Sequence, residues 1–329
     1  MYIYAHHFFR EFALENVVRY LVFGQVVVMI FLIMSGFTLH LSVLRRGNQL
    51  GFTQFMLRRL RRLYPLFVVC LAFSYLVACV VTSSLADPRW LELAGNLGLL
   101  QDLTVAGSIV QPYWGNNPIW FLSYEWYVVL LYALLMLVVF RRFAGNQRQH
   151  LQRLLVLLIS VSAILVDKQT PNIFLHFAAF LLVLWAGVEL AQEYSRDARI
   201  TWSGQWFALG SLALGSYLWI WDLDWHALRL YEFPGYFFRQ FASALAVVVA
   251  TLCFATANRL CKLPSTKGMA LHKFFAYLGT ISFSIYVLHL PLIYLLRHTL
   301  GDAAWLPSFF LGFGVLIIAG HWLERKWHL

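Results

Sequence analysis

Charged side chains are scarce in this sequence. Only 12% of its 329 residues are Asp, Glu, Lys or Arg, whereas soluble domains carry about 25%, which excludes an ordinary soluble protein. In place of charge the chain has continuous apolar runs of about 20 residues, the length that crosses a bilayer as a helix. A membrane β-barrel would instead show short segments of alternating polarity. We therefore predict an all-α fold, a polytopic bundle of membrane helices.

Cysteine is equally sparse. The chain has 4 cysteines, none of them in a Cys-x-x-Cys pair, and they are Cys70, Cys79, Cys253 and Cys261. This spacing indicates neither a disulfide framework nor a zinc site. We therefore expect no bound metal ion, no permanently bound cofactor, and cysteines that only pack among apolar neighbours.

Acidic residues are few compared with basic ones, 15 against 25, and the formal net charge is +10. In a soluble protein this excess would suggest nucleic acid as the partner. Here the basic residues lie in short loops between apolar runs, so we expect contact with membrane lipids and no nucleic acid. Basic loops alternate with acidic ones, and the positive-inside rule therefore places the basic loops and the C-terminus in the cytoplasm.

Nine apolar runs are candidates for full membrane spans. They cover residues 17–44, 64–83, 118–140, 154–166, 173–191, 206–220, 236–257, 274–296 and 307–323. Residues 1–9 are also apolar but have about half the length of a span. We interpret them as the end of a first helix that is only partly present, which gives about ten helices in all. The sequence shows no internal repeat, and we predict a single membrane domain over residues 1–329.

One acidic residue stands out inside a span. Glu125 follows Trp120 and Ser123 and precedes Trp126, and a carboxylate at such a position costs about 3 kcal/mol on insertion scales. A helix that only anchored the chain would not carry it. Glu125 could orient a histidine or accept a hydroxyl proton, with a structural ion pair to an arginine as the alternative. We expect the flanking tryptophans and the serine to line a substrate pocket.

Four arginines, Arg58, Arg59, Arg61 and Arg62, directly precede the second full span. If the segment is helical, Arg58 and Arg62 share a face at i,i+4, and Arg59 neighbours Arg62 at i,i+3. Guanidinium groups stay charged and bind phosphate bidentately, so a cluster at the cytoplasmic edge of the membrane favours a polyanionic ligand. The alternative is that these arginines only orient the helix and contact anionic lipid.

Histidine and serine residues in apolar runs are further candidates. His6 and His7 lie in the N-terminal apolar segment, where a histidine is a functional candidate and a position at the membrane interface is the alternative. Ser35 stands beside a glycine in the first full span, and small residues of this kind often let membrane helices pack closely.

A polar stripe also lies on a later apolar helix. Ser282, Tyr286 and His289 are spaced at i, i+4 and i+7 and therefore share one face. Three polar residues along one stripe suggest a lined cavity, and hydrogen bonds between helices are the alternative. We treat Tyr286 and His289 as candidates for contact with a substrate.

Taken together and in order, five segments of the chain resemble the acyltransferase-3 family of membrane acyltransferases. They are Phe31-Leu-Ile-Met-Ser-Gly-Phe37, Arg58-Arg-Leu-Arg-Arg-Leu-Tyr-Pro65, Pro118-Ile-Trp-Phe-Leu-Ser-Tyr-Glu-Trp126, Ile281-Ser-Phe-Ser-Ile-Tyr-Val-Leu-His-Leu-Pro291 and Trp322-Leu-Glu-Arg325. The resemblance covers nearly the whole chain. It implies a bundle of about ten membrane helices that transfers an acyl group, often acetyl, from cytoplasmic acyl-CoA to a hydroxyl. The implied acceptor is usually a sugar of a surface or secreted glycan.

The resemblance also implies a role for the N-terminal histidines. The essential histidine of the family lies in the first helix, eleven positions after an arginine, and it matches His6, or His7 less closely. Eleven positions before either residue lies upstream of Met1, and Lys326 stands where the family usually has proline. We therefore expect either a true start upstream of Met1 or a catalytically inactive family member.

The resulting hypothesis combines the residues with the resemblance. His6 would act as general base on the acceptor hydroxyl. The arginine cluster would hold the phosphates of acyl-CoA at the cytoplasmic edge, and Glu125 would shape the acceptor pocket from the other side. A bacterial inner membrane is the expected location. The alternative is a glycan or lipid transporter with a midplane site, a class that often has internal repeats, which this sequence lacks.

Overall fold

The computed structural model describes residues 24–46, 51–104, 106–139, 145–222, 233–261, 273, 277–301 and 304–327. Within these residues the chain is helical and forms no strand, only an isolated bridge between Gln101 and Val110. The α-helices are, in chain order, α1 (Gly24–Arg46), α2 (Phe52–Val81), α3 (Trp90–Leu97), α4 (Trp120–Leu134), α5 (Gly145–Asp167), α6 (Ile173–Asp197), α7 (Trp206–Ile220), α8 (Gly235–Cys261), α9 (Ser282–Leu300) and α10 (Trp305–Trp327). Short 3-10 turns cover Tyr113–Gly115, Asn117–Ile119 and Ser203–Gln205, and a π-helical segment, Leu135–Val139, extends α4. The predicted all-α fold is confirmed.

Eight helices among the described residues are long and apolar enough to cross a membrane: α1, α2, the segment Asn117–Leu137 that contains α4, α5, α6, α8, α9 and α10. They match eight of the nine predicted full spans and make this an integral membrane protein. The remaining prediction, 206–220, is helix α7. Its 15 residues extend about 22 Å, which falls short of a hydrocarbon core of about 30 Å. The partial first helix predicted at residues 1–9 lies outside the described residues.

Helix α6 is the centre of the bundle. In its most apolar window 83% of the residues are buried, against 28% for α5, α8 and α10. Two glycines allow α1 to approach α6 closely, because a Cβ on Gly36 would overlap the Leu184 carbonyl and one on Gly187 would overlap the Ile33 carbonyl. Close packing of this kind is what small residues provide between membrane helices.

Helix α2 contains both the arginine cluster and the span that follows it. It is 30 residues long and runs through Pro65 without ending; neighbouring helices make such a proline tolerable in a membrane helix. The arginines therefore belong to the first turns of a spanning helix. Arg58 and Arg62 lie on one face of it, as their i,i+4 spacing predicts.

The segment between α2 and α4 contains Asp87, Glu92 and Asp102, and this acidic segment folds back into the bundle. Asn116, the residue directly before the turn that leads into α4, is 1% exposed. Its Nδ2 atom donates to Ser74 Oγ on α2 at 3.2 Å and to the Val287 carbonyl on α9 at 3.1 Å. The polypeptide thus enters α4 from the interior of the bundle, beside the second half of α2. This depth determines where the polar residues of α4 lie.

Candidate functional site

Three polar side chains from three helices meet inside the bundle. Ser35 lies on α1, Arg59 on α2 and Glu125 on α4. Arg59 Nη2 forms an ion pair with Glu125 Oε1 and donates to Ser35 Oγ at 3.0 Å. The serine hydroxyl donates to the same carboxylate oxygen at 3.2 Å. Each of the three residues therefore contacts the other two.

The cluster borders a cavity of about 220 Å³ between α1, α2, α4 and α9. Arg62 and Tyr286 line the same cavity, so five of the candidates from the sequence surround one space. Most of the remaining wall is apolar, and it consists of Phe31, Met34, Thr38, Leu63, Phe121, Leu122, Ser282 and Phe283. A mostly apolar wall with a few convergent polar groups is typical of small-molecule sites.

Glu125 faces this cavity because the aromatic residues of α4 occupy the other side of the helix. Tyr124 packs edge-on against Phe177 of α6, with ring centroids 5.1 Å apart, and Tyr127 stacks on the same ring at 4.7 Å. These contacts turn one face of α4 toward α6. Glu125 lies about 100° further round the helix from Tyr124 and so projects toward α1 and α2.

The depth at which α4 begins brings Glu125 within reach of Arg59. Because Asn116 is bonded to Ser74 inside the bundle, the first two turns of α4 run toward the arginine-bearing end of α2. The sequence hypothesis placed the arginine cluster and Glu125 on separate sides of the site. For Arg59 that separation is wrong, because the two side chains form an ion pair, which was the alternative interpretation of Glu125.

The ion pair is largely shielded from water. The side chains of Arg59 and Glu125 are 15% and 17% exposed, so each charge is stabilised mainly by its partner. Removing one member of such a pair leaves an uncompensated charge in a poorly hydrated site. Arg59 Nε is buried and has no hydrogen-bond partner among the described residues, so Glu125 and Ser35 do not use all the donors of this guanidinium.

Arg62 and Arg58 differ in their relation to the cavity. Both side chains are exposed, but only Arg62 is part of the lining. In the part of the chain that the structure describes, neither arginine forms an ion pair. Arg62 therefore places an unbalanced positive charge at the cavity, whereas the charge of Arg59 is balanced by Glu125.

Three candidates near Glu125 lie away from the cavity. Trp120 is buried against Tyr124, with ring centroids 4.9 Å apart. Ser123 is fully buried and donates to the Gln101 carbonyl at 2.8 Å. Trp126 borders a small apolar crevice beside Tyr64 of α2. These three side chains hold α4 against its neighbours and do not line the space that Glu125 faces.

The two candidates from the polar stripe on α9 differ in whether they line the cavity. Tyr286 lines the cavity, and its hydroxyl donates to the Pro118 carbonyl just before α4. His289 is fully buried, and its Nδ1 atom lies 2.7 Å from the Tyr286 carbonyl within its own helix. It is not part of the cavity lining. His6 and His7, the predicted general base and its neighbour, lie outside the described residues.

A family model described as an acyltransferase domain matches residues 1–323, a range that includes every residue of the cavity. The chain belongs to the acyltransferase-3 family. Its general class is therefore that of a membrane acyltransferase. Comparison with curated proteins and with solved structures gives no match.

This acyltransferase also contains a buried polar cluster that the sequence analysis missed. His176 Nδ1 lies 3.0 Å from Asp102 Oδ2, and His176 Nε2 lies 3.0 Å from Asp167 Oδ2, with all three side chains fully buried. The hydroxyl of Tyr124 donates to the same Asp102 oxygen at 2.9 Å. The cluster joins the acidic segment before α4 to α4, α5 and α6. A histidine within an apolar run was the available signal, but its partners come from two other elements, Asp167 from the end of α5 and Asp102 from the segment before α4.

Proposed function

We propose that this membrane acyltransferase moves an acyl group, acetyl in the simplest case, from cytoplasmic acyl-CoA to a hydroxyl of a surface or exported glycan. The acceptor would be a glycan or a lipid-linked sugar. The observation that supports this proposal is the cavity itself, where Ser35, Arg59 and Glu125 meet beside the unbalanced charge of Arg62.

The donor side of the proposal rests on the arginines of α2. Coenzyme A carries phosphate groups, and a guanidinium binds phosphate through paired, charge-assisted hydrogen bonds. Arg62 is suited to this task because it lines the cavity and has no acidic partner among the described residues. Arg58 lies one turn away on the same face and adds positive charge outside the cavity. Both would attract the donor from the basic end of the bundle.

Arg59 and Glu125 have a different role in this proposal. Glu125 already accepts hydrogen bonds from Arg59 and Ser35, so it is a poor acceptor for a substrate proton. Its charge holds the Arg59 guanidinium beside the cavity. There the positive charge of Arg59 would stabilise the oxyanion that develops on the thioester carbonyl during transfer.

The remaining step is proton transfer. An imidazole removes the proton of the acceptor hydroxyl as its oxygen bonds to the acyl carbon, the carbon–sulfur bond breaks, and the thiolate of coenzyme A takes up the proton. General-base help of this kind contributes about 10²–10⁴-fold in rate. We assign the base to His6, with His7 as the second candidate. Ser35 and Tyr286 would contact substrate in the cavity, while Trp120, Ser123, Trp126 and His289 would position the helices that form it.

The orientation of the proposal follows from charge. The basic ends of the helices, including Arg45 and Arg46 at the end of α1, would lie in the cytoplasm, together with the C-terminus. A bacterial inner membrane is the proposed location, because it separates a pool of acyl-CoA from the exported glycan.

A transfer assay in native membranes tests the function. Inverted membrane vesicles from cells that produce the chain, and from cells that lack it, are supplied with acetyl-CoA labelled in the acetyl group. We expect label in the glycan fraction only where the chain is present. Movement of glycan across the membrane without acyl-CoA would favour a transporter, and absence of any label would favour an inactive family member.

A further inference from the structure

A second cavity, of about 620 Å³, lies at the basic end of the bundle between α1, α5, α6 and α7. It is larger than the cavity of about 220 Å³ beside Glu125 and shares no lining residue with it. Its wall is rich in polar and charged side chains. The basic residues among them are His40, Arg148, Arg153 and Arg196, and the acidic ones are Glu189 and Glu193.

Both carboxylates of this wall are satisfied by the protein. Glu189 accepts from Arg153 through two bonds, Nε to Oε1 at 2.9 Å and Nη2 to Oε2 at 2.5 Å. Glu193 accepts from the Thr201 backbone N–H at 3.0 Å and from Gln205 Nε2 at 2.6 Å. Neither carboxylate therefore needs a ligand to complete its hydrogen bonds.

Not all of the basic residues in this wall have an ion-pair partner among the described residues. Arg153 is paired with Glu189, and Arg196 with Asp197 at 2.9 Å. Arg148 forms no ion pair or hydrogen bond within the described residues. Among the three arginines of the wall, Arg148 is the one without a carboxylate partner in this part of the structure. Glu193 accepts only from neutral donors, so its carboxylate charge is also without an ion-pair partner among the described residues.

His40 provides an independent sign of a ligand. Its side chain is fully buried, and its Nε2 atom has no partner among the described residues, although the residue lines the cavity. Nδ1 lies 2.9 Å from the Tyr132 hydroxyl, for which the described residues offer no other acceptor. The hydroxyl therefore donates to Nδ1, so Nε2 carries the hydrogen and is a donor. A buried donor left without an acceptor is costly.

We propose that this cavity binds a phosphate-bearing ligand, with the phosphate between the Arg148 guanidinium and the Nε2–H of His40. A guanidinium without an ion-pair partner and a buried N–H donor both favour an anion, and phosphate suits the fork of arginine. Trp206 borders the same cavity with an exposed ring, and the Arg153 guanidinium lies 5.2 Å from its centroid. This ring offers an apolar face to the rest of the ligand. The proposal is independent of where acyl transfer occurs.

The phosphate could belong to a soluble compound or to a lipid headgroup, and one experiment separates the two. The full chain carrying Arg62→Ala, which removes the unbalanced charge of the other cavity, is placed in nanodiscs of phosphatidylcholine and titrated with AMP or inorganic phosphate. In parallel, nanodiscs containing phosphatidylglycerol are used to measure how much of this lipid the purified protein retains.

The decisive comparison is between Arg148→Ala and Arg46→Ala, each added to the chain that carries Arg62→Ala. Arg46 is exposed at the same end of the bundle and does not line the cavity, so it is a charge-matched control. We expect Arg148→Ala to weaken binding about tenfold, the effect of losing one strong charge-assisted hydrogen bond, and Arg46→Ala to leave it within about twofold. His40→Ala should weaken binding in the same direction as Arg148→Ala.

Each outcome decides the proposal. Binding of AMP or phosphate that depends on Arg148 supports a soluble ligand, and phosphatidylglycerol retention that depends on Arg148 supports a lipid headgroup. Equal binding by the Arg148→Ala and Arg46→Ala variants overturns the assignment. Absence of binding in both arms overturns it as well. Because Arg148 lies near the start of α5 and makes no bond within the described residues, its replacement should leave the fold intact, and a circular-dichroism melt checks this.

Discussion

Arg59 and Glu125 form an ion pair between α2 and α4, although 66 residues separate them in the chain. The contact exists because α4 begins inside the bundle and because its aromatic face packs on α6. The pairing of these two charges thus depends on the acidic segment before α4, although neither residue belongs to that segment.

The ion pair should behave as a coupled unit. Arg59→Ala or Glu125→Ala alone leaves a charge in a poorly hydrated site, and we expect each to lower the free energy of unfolding by about 3 kcal/mol. The double variant should lose less than the sum of the two, with a coupling energy of at least about 1 kcal/mol. Thermal or denaturant unfolding of the unmodified protein, the two single variants and the double variant in one detergent measures this coupling energy. Additive losses would show that the two charges do not stabilise each other.

The packing of α1 on α6 should tolerate no added methyl group at Gly36. A Cβ there would overlap the Leu184 carbonyl, and since that atom belongs to a helix backbone, we expect Gly36→Ala to destabilise the fold by about 1–3 kcal/mol or more. Gly210→Ala is the matched control, because a Cβ at Gly210 meets nothing within 4 Å. Unfolding temperatures of the two variants test the contrast, and equal values would contradict the close approach of α1 and α6.

Residues with charge inside spans were the part of the site that could be predicted from sequence. A carboxylate in an apolar helix requires a partner, so Glu125 was expected to face the interior, whereas Arg59 was expected at the cytoplasmic edge with the other arginines. Ser35, Arg62 and Tyr286, also candidates from the sequence, border the same cavity as these two residues. The fold class followed equally directly from the lengths of the apolar runs.

Helix rotation and depth could not be predicted in the same way. Trp120, Ser123 and Trp126 are within a few residues of Glu125, yet they face other neighbours because the contact of Tyr124 with α6 fixes the rotation of α4. The depth of α4 depends on the bond between Asn116 and Ser74. Such contacts join distant segments of the chain, and no periodicity in one segment indicates them.

Two exposed arginines of α2, Arg58 and Arg62, should differ in their effect on donor binding. Arg62 lines the cavity and Arg58 does not, so we expect Arg62→Ala to weaken acyl-CoA binding about tenfold, the effect of losing one strong charge-assisted hydrogen bond, and Arg58→Ala to weaken it less. Titration calorimetry in nanodiscs at low and high salt measures both, and high salt should reduce the difference, since exposed charges are screened. Unchanged affinity in Arg62→Ala would refute the phosphate role.

The assignment of the general base predicts a selective loss of rate. His6→Ala should reduce glycan acylation by about 10²–10⁴-fold, the usual contribution of a general base, while the amount of protein in the membrane stays normal. His7→Ala is the neighbouring control and should retain most of the activity. Labelled acetyl transfer and an immunoblot of the membrane fraction give the two readouts. Full activity in both variants would exclude this pair as the base.

The buried cluster around His176 should contribute to stability rather than to transfer itself. Both ring nitrogens lie 3.0 Å from carboxylate oxygens, and Asp102 and Asp167 are fully buried. His176→Leu would leave two buried carboxylates without their shared partner, so we expect a loss of at least about 3 kcal/mol in the free energy of unfolding. Adding Asp102→Asn and Asp167→Asn to His176→Leu removes the uncompensated charges and should recover part of that loss. Unfolding curves of the single and the triple variant measure it, and a triple variant that is less stable than His176→Leu would show that charge balance is not what the histidine provides.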